Sequence, residues 1–205
     1  VELAATLAAS RAEGKVLITE VPGVPTILHL ELGIPKPRII QLLLRWPRLL
    51  EVSGVGVGER VSWLRQNIFL SKEEVAKLML EHPPILIKSV LGQMEPNLFW
   101  LEDEMRLSRQ EVRKMVITCP QVLLKSVKDN YLPKVEYFEK VIGIDRKGLA
   151  SMLTVYPQLF NFSLDNIRWK VRYLQEGIHL DSSEVVQVLR RFPSIFAYSA
   201  ERNLV

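Results

Sequence analysis

Residue types that build catalytic and metal sites are scarce in this chain. Its 205 residues include one cysteine and three histidines, at positions 29, 82 and 179. One cysteine excludes an intramolecular disulfide and a zinc site with several cysteine ligands, and three histidines leave little for metal binding or nucleophile–base pairs. The acidic residues 102–104 are interpreted as a charged surface run rather than a catalytic pair. We therefore expect no catalytic residue, no metal site and no cofactor, and do not expect an enzyme.

Long apolar segments and a strong excess of one charge are absent as well. The longest apolar runs, such as residues 39–44, fall well short of the roughly 20 residues that a membrane span needs, so no membrane partner is expected. The chain has 27 basic and 23 acidic residues, a net charge of +4, and no arm or tail holds the excess. Any basic patch must therefore be formed by folding. Because the chain begins at Val1 without an Arg/Ser-rich leader, we interpret it as a trimmed or mature fragment, compatible with a removed targeting peptide.

Proline is more frequent than glycine, with twelve prolines against ten glycines, and five of the prolines are evenly spaced. The intervals between them are 36, 37, 37 and 36 residues. Each is followed at its second and third positions by two apolar residues and at its sixth position by a serine. This periodicity indicates a repeat array. Repeats 1 to 5 are numbered after these prolines in chain order: Pro47, Pro83, Pro120, Pro157 and Pro193.

An amphipathic helix is predicted before each of these prolines. Apolar or aromatic residues recur eight, five, four and one positions before the proline, as at positions 39, 42, 43 and 46 of repeat 1, and this spacing is typical of one helix face. The proline then ends the helix and can open a short following turn. Residues suited to an N-cap or first helical position stand twelve before each proline: Pro35, Ser71, Ser108, Asp145 and Asp181. Three of them are expected to form capping boxes with an acid three residues later: Glu74, Glu111 and Glu184.

A second helix is predicted between the repeat serine and the next repeat. Its start is open: either the serine caps it directly, or Pro96 and Pro133 delay it and the serine orders a short turn first. The glycine-rich residues 54–58 are interpreted as a flexible linker. An aromatic residue in each of these helices is assigned to the core between helices: Trp63, Trp100, Tyr137 and Tyr173.

These units predict an all-α fold, a superhelical solenoid of about five to six repeats, each with two long helices and a short helical turn. The repeats must stack because a single unit cannot bury its apolar faces alone. We expect one solenoid domain over residues 1–205, with a degenerate repeat at about residues 1–24. The chain stops six residues past Ser199, where another second helix should begin. The full protein is therefore expected to continue, with a possible protein partner at that end, and to be a monomer.

The proline turns resemble those of the mitochondrial transcription termination factor (mTERF) family. The shared signature is an aromatic residue, proline, any residue and two apolar residues, as at 46–50, 156–160 and 192–196, with His82 and Cys119 replacing the aromatic residue in repeats 2 and 3. The resemblance extends over about residues 25–200. It implies an all-helical, left-handed superhelix with a basic groove for double-stranded nucleic acid. It also implies work in mitochondria or chloroplasts, in transcription termination or regulation or, for some members, in RNA binding, intron splicing or ribosome assembly.

Basic residues that recur at one repeat position would form a stripe that follows a phosphate backbone. The favoured position lies three residues before the second-helix aromatic residue, and holds Arg60, Asn97, Lys134 and Lys170. Taken singly, each basic residue also fits a solvated helix face. Arg168 and Arg172 thicken the stripe in repeat 4, and further candidates lie near the repeat serine and the proline: Lys88, Lys125, Arg48, Arg190 and Arg191.

The favoured function is binding of double-stranded organellar DNA, in a sequence-tolerant or sequence-specific way, to regulate or terminate transcription. The expected compartment is the mitochondrion, with the chloroplast as the alternative. Two other functions stay open, an RNA-binding factor in organellar rRNA or intron processing or ribosome assembly, and a protein-docking scaffold. Cys119 and His82 are interpreted as packed side chains rather than reactive groups.

Overall fold

A computed structural model of the chain describes residues 23–198. These residues form ten α-helices with shorter 3₁₀ and π turns, and no strand occurs among them. The all-α helical-repeat fold expected from the sequence is confirmed. The degenerate repeat expected at residues 1–24 lies almost entirely outside the described residues, as do Ser199 and the C-terminal end.

Backbone packing divides the chain into two compact units, Val1–Glu59 and Arg60–Val205. The described part of the first unit contains α1 (Val24–Leu30), α2 (Lys36–Arg45), a 3₁₀ turn at Pro47–Glu51 and the start of α3 (Gly54–Asn67). The expectation of one solenoid domain over residues 1–205 stays a prediction.

The second unit repeats the same order of elements. Its α-helices are α4 (Lys72–Glu81), α5 (Glu95–Phe99), α6 (Arg109–Thr118), α7 (Leu132–Tyr137), α8 (Arg146–Val155), α9 (Leu164–Arg172) and α10 (Ser182–Arg191). The 3₁₀ turns are Pro83–Leu86, Pro120–Leu123, Pro157–Asn161 and Pro193–Ala197. Turns of π helix extend the second helices at Val90–Met94, Trp100–Glu104, Val127–Tyr131, Phe138–Ile142 and Tyr173–Gly177.

The first helix of each repeat begins and ends where its sequence signals lie. Ser71, Ser108 and Asp181 form the predicted capping boxes, and Asp145 caps α8 through the N–H of Gly148. Hydrogen bonds from Ser108 lower the pKa of Glu111 in its box. The residue before each repeat proline leaves the helix with ψ between 63 and 77°, because the pyrrolidine ring excludes the α conformation from its predecessor. Each proline then opens the 3₁₀ turn.

The second helix starts directly after the repeat serine, which resolves the alternative that the sequence left open. In repeats 1 to 4 the serine Oγ accepts a hydrogen bond from the N–H three residues later, over 3.0 to 3.1 Å. The interpretation of residues 54–58 as a flexible linker is wrong. They form the first turn of α3, with Val57 fully buried, because Ser53 supplies the cap that offsets the low helix propensity of glycine.

Pro96 and Pro133 lie inside second helices, where each is preceded by a π turn. The two turns, Val90–Met94 and Val127–Tyr131, belong to repeats 2 and 3. These repeats have the extra residue of the 37-residue spacing, and it lies between the serine and the aromatic residue: eleven positions separate Ser89 from Trp100, but ten separate Ser53 from Trp63. A π turn has one more residue per hydrogen bond than an α turn. The π turn therefore accommodates the extra residue within the second helix. It lies just before a proline, which has no N–H to donate.

Each second helix ends in a left-handed residue fourteen positions before the next repeat proline. Five residues share this position and have φ between 56 and 85°: Gly33, Phe69, Arg106, Gly143 and His179. The next residue, always apolar, donates its N–H to the carbonyl six positions back over 2.9 to 3.4 Å. A left-handed residue at the end of a helix is usually glycine. Three of the five corners therefore keep a side chain in a conformation that L-residues disfavour.

The core between helices contains the predicted aromatic residues to different extents. Trp63 and Trp100 are buried, whereas Tyr137 and Tyr173 are half-buried. Trp100 stacks on Tyr131 with ring centroids 5.3 Å apart, and Tyr131 stacks on Phe160 of the next repeat at 5.0 Å. Aromatic stacking therefore links repeats 2, 3 and 4.

Candidate nucleic-acid interface

The repeat position favoured for a nucleic-acid stripe faces the neighbouring repeat. Asn97, Lys134 and Lys170 are only 1, 2 and 6% exposed, and Arg60 is half-buried. Each side chain donates to backbone carbonyls at the end of the proline turn in the following repeat. We call this set of four contacts the inter-repeat clasps.

The clasps bind the same part of the next repeat through different donors. Arg60 Nε lies 2.6 Å from the carbonyl oxygen of Lys88, and Asn97 Nδ2 lies 2.7 Å from that of Lys125. Lys134 Nζ donates to the carbonyl of Phe160 and to Asn130 Oδ1, both at 2.7 Å, and Lys170 donates to the carbonyl of Phe196. The last carbonyls of a helical turn have no partner within the turn. The clasps supply that partner from the preceding repeat.

Burial changes the protonation of the clasp lysines. It lowers the pKa of Lys134 to about 8, with the nearby Lys125 ammonium acting in the same direction, and it also lowers the pKa of Lys170. Burial lowers the pKa of Lys125 too, whose Nζ lies 3.2 Å from the carbonyl oxygen of Asn161. A buried ammonium is retained here because backbone carbonyls replace its water shell.

The structure thus corrects the expectation of an open basic stripe at this position. Lys134 and Lys170 are enclosed between repeats, and Arg60 and Asn97 use their donors on backbone carbonyls. The sequence showed that a polar residue recurs at this position. Helical periodicity alone did not distinguish a basic side chain that faces solvent from one that packs against the next repeat. Asn97 was the available signal, because an amide in a cationic series indicates a shared need for a donor rather than for charge.

The other predicted basic residues are exposed, apart from the half-buried Lys125. Arg168 and Arg172 are exposed on α9, Lys88 is exposed and Lys125 half-buried beside the repeat serines, and Arg190 and Arg191 are exposed at the end of α10. Arg48 is exposed in the proline turn of the first unit. As a nucleic-acid-binding set, these residues stay a prediction.

Arg168 and Arg172 lie close to aromatic side chains. The Arg168 guanidinium carbon is 5.7 Å from the Tyr137 ring centroid, and its Nη1 is 3.3 Å from the exposed carboxylate of Asp165. Burial raises the pKa of Tyr137, whereas the charges of Arg168 and Arg172 oppose that rise. Trp169, between the two arginines, is 45% exposed and stacks on Tyr173 at 5.5 Å. We call Tyr137, Arg168, Trp169, Arg172 and Tyr173 the α9 patch.

Three further arginines are held at the corners between repeats. Arg113 pairs with Glu74 at 2.6 Å and donates to the carbonyl of Phe69. Arg109 pairs with Glu102 and donates to the carbonyl of Asn67. Arg146 pairs with Glu139 at 2.9 Å and with Glu104 at 3.4 Å. These three arginines are therefore engaged in ion pairs at the repeat corners, and the sequence did not predict these pairs.

Cys119 and His82 are packed beside the proline turns, as interpreted from their repeat position. Cys119 is buried, burial raises the pKa of its thiol, and Asn161 donates to its Sγ over 3.2 Å. His82 Nδ1 lies 3.3 Å from Gln121 Nε2 of the next repeat. A thiol with a raised pKa is a poor nucleophile.

Stacked units of two helices joined by a proline-led turn define an α-helical repeat protein. The family model described as mTERF matches residues 27–142 and 125–205. The chain belongs to the mTERF family. No curated protein matches it.

Family membership supports a nucleic-acid partner and a role connected with transcription, and mTERF proteins are organellar in general. Among residues 23–198, no helix is both long enough and apolar enough to cross a membrane.

Proposed function

We propose that this protein is a non-enzymatic factor that binds double-stranded DNA in the mitochondrion and regulates or terminates transcription. The observation that carries the proposal is the mTERF match along the repeats. The contacts assigned to phosphate are exposed cations of α9, of the end of α10 and of the segment after the proline turn of repeat 2: Arg168, Arg172, Arg190, Arg191 and Lys88.

The clasps support this function by fixing the spacing of those cations. A phosphate backbone presents charge at regular intervals, so a protein gains from holding its cations at fixed positions before binding. Each clasp joins a second helix to the proline turn of the next repeat, where Lys88 and Lys125 lie. The buried polar position therefore positions the binding residues without itself reaching the nucleic acid.

The test is duplex-DNA affinity measured against salt concentration. Exchanging Arg168 and Arg172 together for glutamate removes two proposed phosphate contacts, and the slope of log affinity against log salt should become shallower by about 2. The matched control exchanges Lys77 and Lys114, exposed lysines of α4 and α6, for glutamate and should retain the wild-type slope more closely.

Two results would overturn the proposal. One is the absence of duplex binding at low salt, and the other is a wild-type affinity that does not change with salt. If an A-form RNA duplex outcompetes B-DNA of the same sequence, the partner is RNA instead, since A-form helices are read through shape and 2′-hydroxyls. Fractionation of cells that express the tagged protein tests the compartment, and enrichment in chloroplasts would contradict the mitochondrial assignment.

A further inference from the structure

Trp169 is an exposed aromatic residue that the repeat packing does not require. The equivalent position, four residues before the second-helix aromatic residue, holds Glu59, Pro96 and Pro133 in repeats 1 to 3. The buried residues of α9 are instead Ile167, Lys170 and Val171. Exposing a large indole leaves apolar surface in water, which commonly marks a binding site when polar groups surround it.

The surroundings of Trp169 form a stacking platform. Its ring and that of Tyr173 lie nearly parallel, with centroids 5.5 Å apart and an interplanar angle of 16°. This contact limits the orientations of the indole while leaving 45% of the residue exposed. The platform therefore exists before any ligand arrives, which reduces the entropy lost on binding.

Charge around the platform favours an anionic ligand with a flat, neutral part. Arg168 precedes Trp169 on α9 and Arg172 follows one turn later, and both are exposed. The Arg168 guanidinium carbon also lies 5.7 Å from the Tyr137 ring centroid. A nucleotide in a single strand has this composition: its base stacks on an aromatic face and its phosphate pairs with arginine. A base inside a duplex has both faces covered by its neighbours and does not fit an extended aromatic platform.

We propose that the α9 patch binds an unpaired nucleotide of single-stranded nucleic acid, with the base stacked on Trp169 and the phosphates on Arg168 and Arg172. The inference rests on the proposed function for the nucleic-acid partner and for the phosphate contacts of Arg168 and Arg172. It adds to those contacts a stacking site for a base that is not paired. The shared chemistry is that of an unpaired base, whether the strand is DNA or RNA.

Tryptophan fluorescence gives a direct readout. The chain has four tryptophans, of which Trp63 and Trp100 are buried and Trp46 lies in the first unit. Adding a ten-nucleotide oligo(dT) or oligo(rU) should quench the wild-type emission. Trp46→Phe should retain the quenching and Trp169→Phe should lose it. Circular dichroism checks that each variant is folded.

Affinity for the same strands, measured by anisotropy, separates stacking from charge. Trp169→Ala should weaken binding of both oligonucleotides by about tenfold, since it removes the aromatic face on which one base stacks. Trp169→Phe should restore most of that loss. Phe99→Ala, which removes an exposed aromatic residue of repeat 2, is the matched control and should change affinity little. An abasic strand of equal length should bind wild type as weakly as the oligonucleotides bind Trp169→Ala.

The outcomes distinguish this inference from the proposed function. If Trp169→Ala leaves single-strand affinity unchanged, or the abasic strand binds as tightly as oligo(dT), the stacking site is wrong even when duplex binding is strong and salt-dependent. If duplex binding fails and oligonucleotides still quench Trp169, the stacking site stands and the duplex proposal falls. A preference for oligo(rU) over oligo(dT) would assign the strand to RNA.

Discussion

A basic side chain in a repeat protein has two different uses, and this chain has both within one helix turn. Lys170 is buried and donates to the carbonyl of Phe196, whereas Arg168 and Arg172 on the same helix are exposed. A buried lysine is stable only if a backbone carbonyl lies within hydrogen-bonding distance of its ammonium group, because an unpaired ammonium in the interior costs free energy. That carbonyl lies 26 residues further along the chain, so no local pattern around Lys170 could specify it.

The lowered pKa of Lys134 predicts a dependence of stability on pH. Its folded pKa is about 8 because of burial, whereas an unfolded lysine titrates near 10.4. Between these values the unfolded chain binds more protons, so the free energy of unfolding contributed by this group rises as pH increases through about 8. Below that range the cost of charging the buried amine is fully present.

The measurement is denaturant unfolding of wild type and Lys134→Met from about pH 7 to about pH 9.5. The difference in free energy of unfolding, wild type minus variant, should shift in favour of wild type as pH rises. Lys128→Met removes an exposed lysine of the same second helix and is the matched control. A difference for Lys134→Met that stays constant over this range would contradict the burial of an ionisable clasp.

At the scale of the element, the sequence predicted the first helices more fully than the ends of the second helices. The starts of α4, α6 and α10 were predicted correctly because a cap is a local signal: Ser71 and Glu74 bond to each other's backbone within one turn. The left-handed ends were not anticipated at Phe69, Arg106 or His179, since only Gly33 and Gly143 have the residue type that such an end usually requires. At the other three, the residue after the corner donates its N–H to the carbonyl six positions back, as it does after the two glycines.

Replacing Arg106 by glycine should stabilise the protein. Arg106 has φ of 56°, and its side chain forms an exposed ion pair with Asp103 at 3.5 Å. Glycine adopts this φ without the steric cost of a side chain, and the loss of an exposed ion pair costs little stability. The expected gain in the free energy of unfolding is about 1 kcal/mol, and Gly143→Ala should lose about the same amount. Chemical denaturation measures both, and equal stability of all three proteins would show that the corners carry no backbone strain.

At the scale of the whole molecule, the candidate site was predicted less well than the fold. The even spacing of the five repeat prolines predicted the repeats because spacing can be read along the sequence alone. The family match supports the same fold. Lys134 is buried and Arg172 is exposed, because they lie on different faces of their second helices. The face that packs against the next repeat depends on the three-dimensional structure and cannot be read from the spacing of residues. Trp169 was not predicted, because the equivalent position holds no aromatic residue in repeats 1 to 3.

Repeat proteins unfold by loss of contacts between neighbours, so breaking one clasp should loosen the coupling between two repeats. Asn97→Asp replaces a donor by a carboxylate facing the carbonyls of Val122 and Lys125, which lie 3.1 and 2.7 Å from Asn97 Nδ2. The free energy of unfolding should fall by about 3 kcal/mol, as expected for an uncompensated buried charge.

The unfolding transition of Asn97→Asp should also broaden, because repeats 2 and 3 would no longer unfold together. Asn166→Asp is the matched control, since Asn166 is exposed in the first turn of α9 and the change should stay within about 0.5 kcal/mol. Hydrogen exchange resolves the effect along the chain. A uniform loss of protection in every repeat would contradict nearest-neighbour coupling.

The π turns before Pro96 and Pro133 affect which insertions and deletions the sequence of this protein can accept. Inserting one residue into an α-helix rotates everything after it by about 100°, which normally turns a buried face outward. A turn that widens by one residue absorbs the insertion where it occurs, and the side chains downstream keep their direction. Single-residue insertions and deletions ahead of the proline are thus tolerated, and each unit can change length independently of its neighbours.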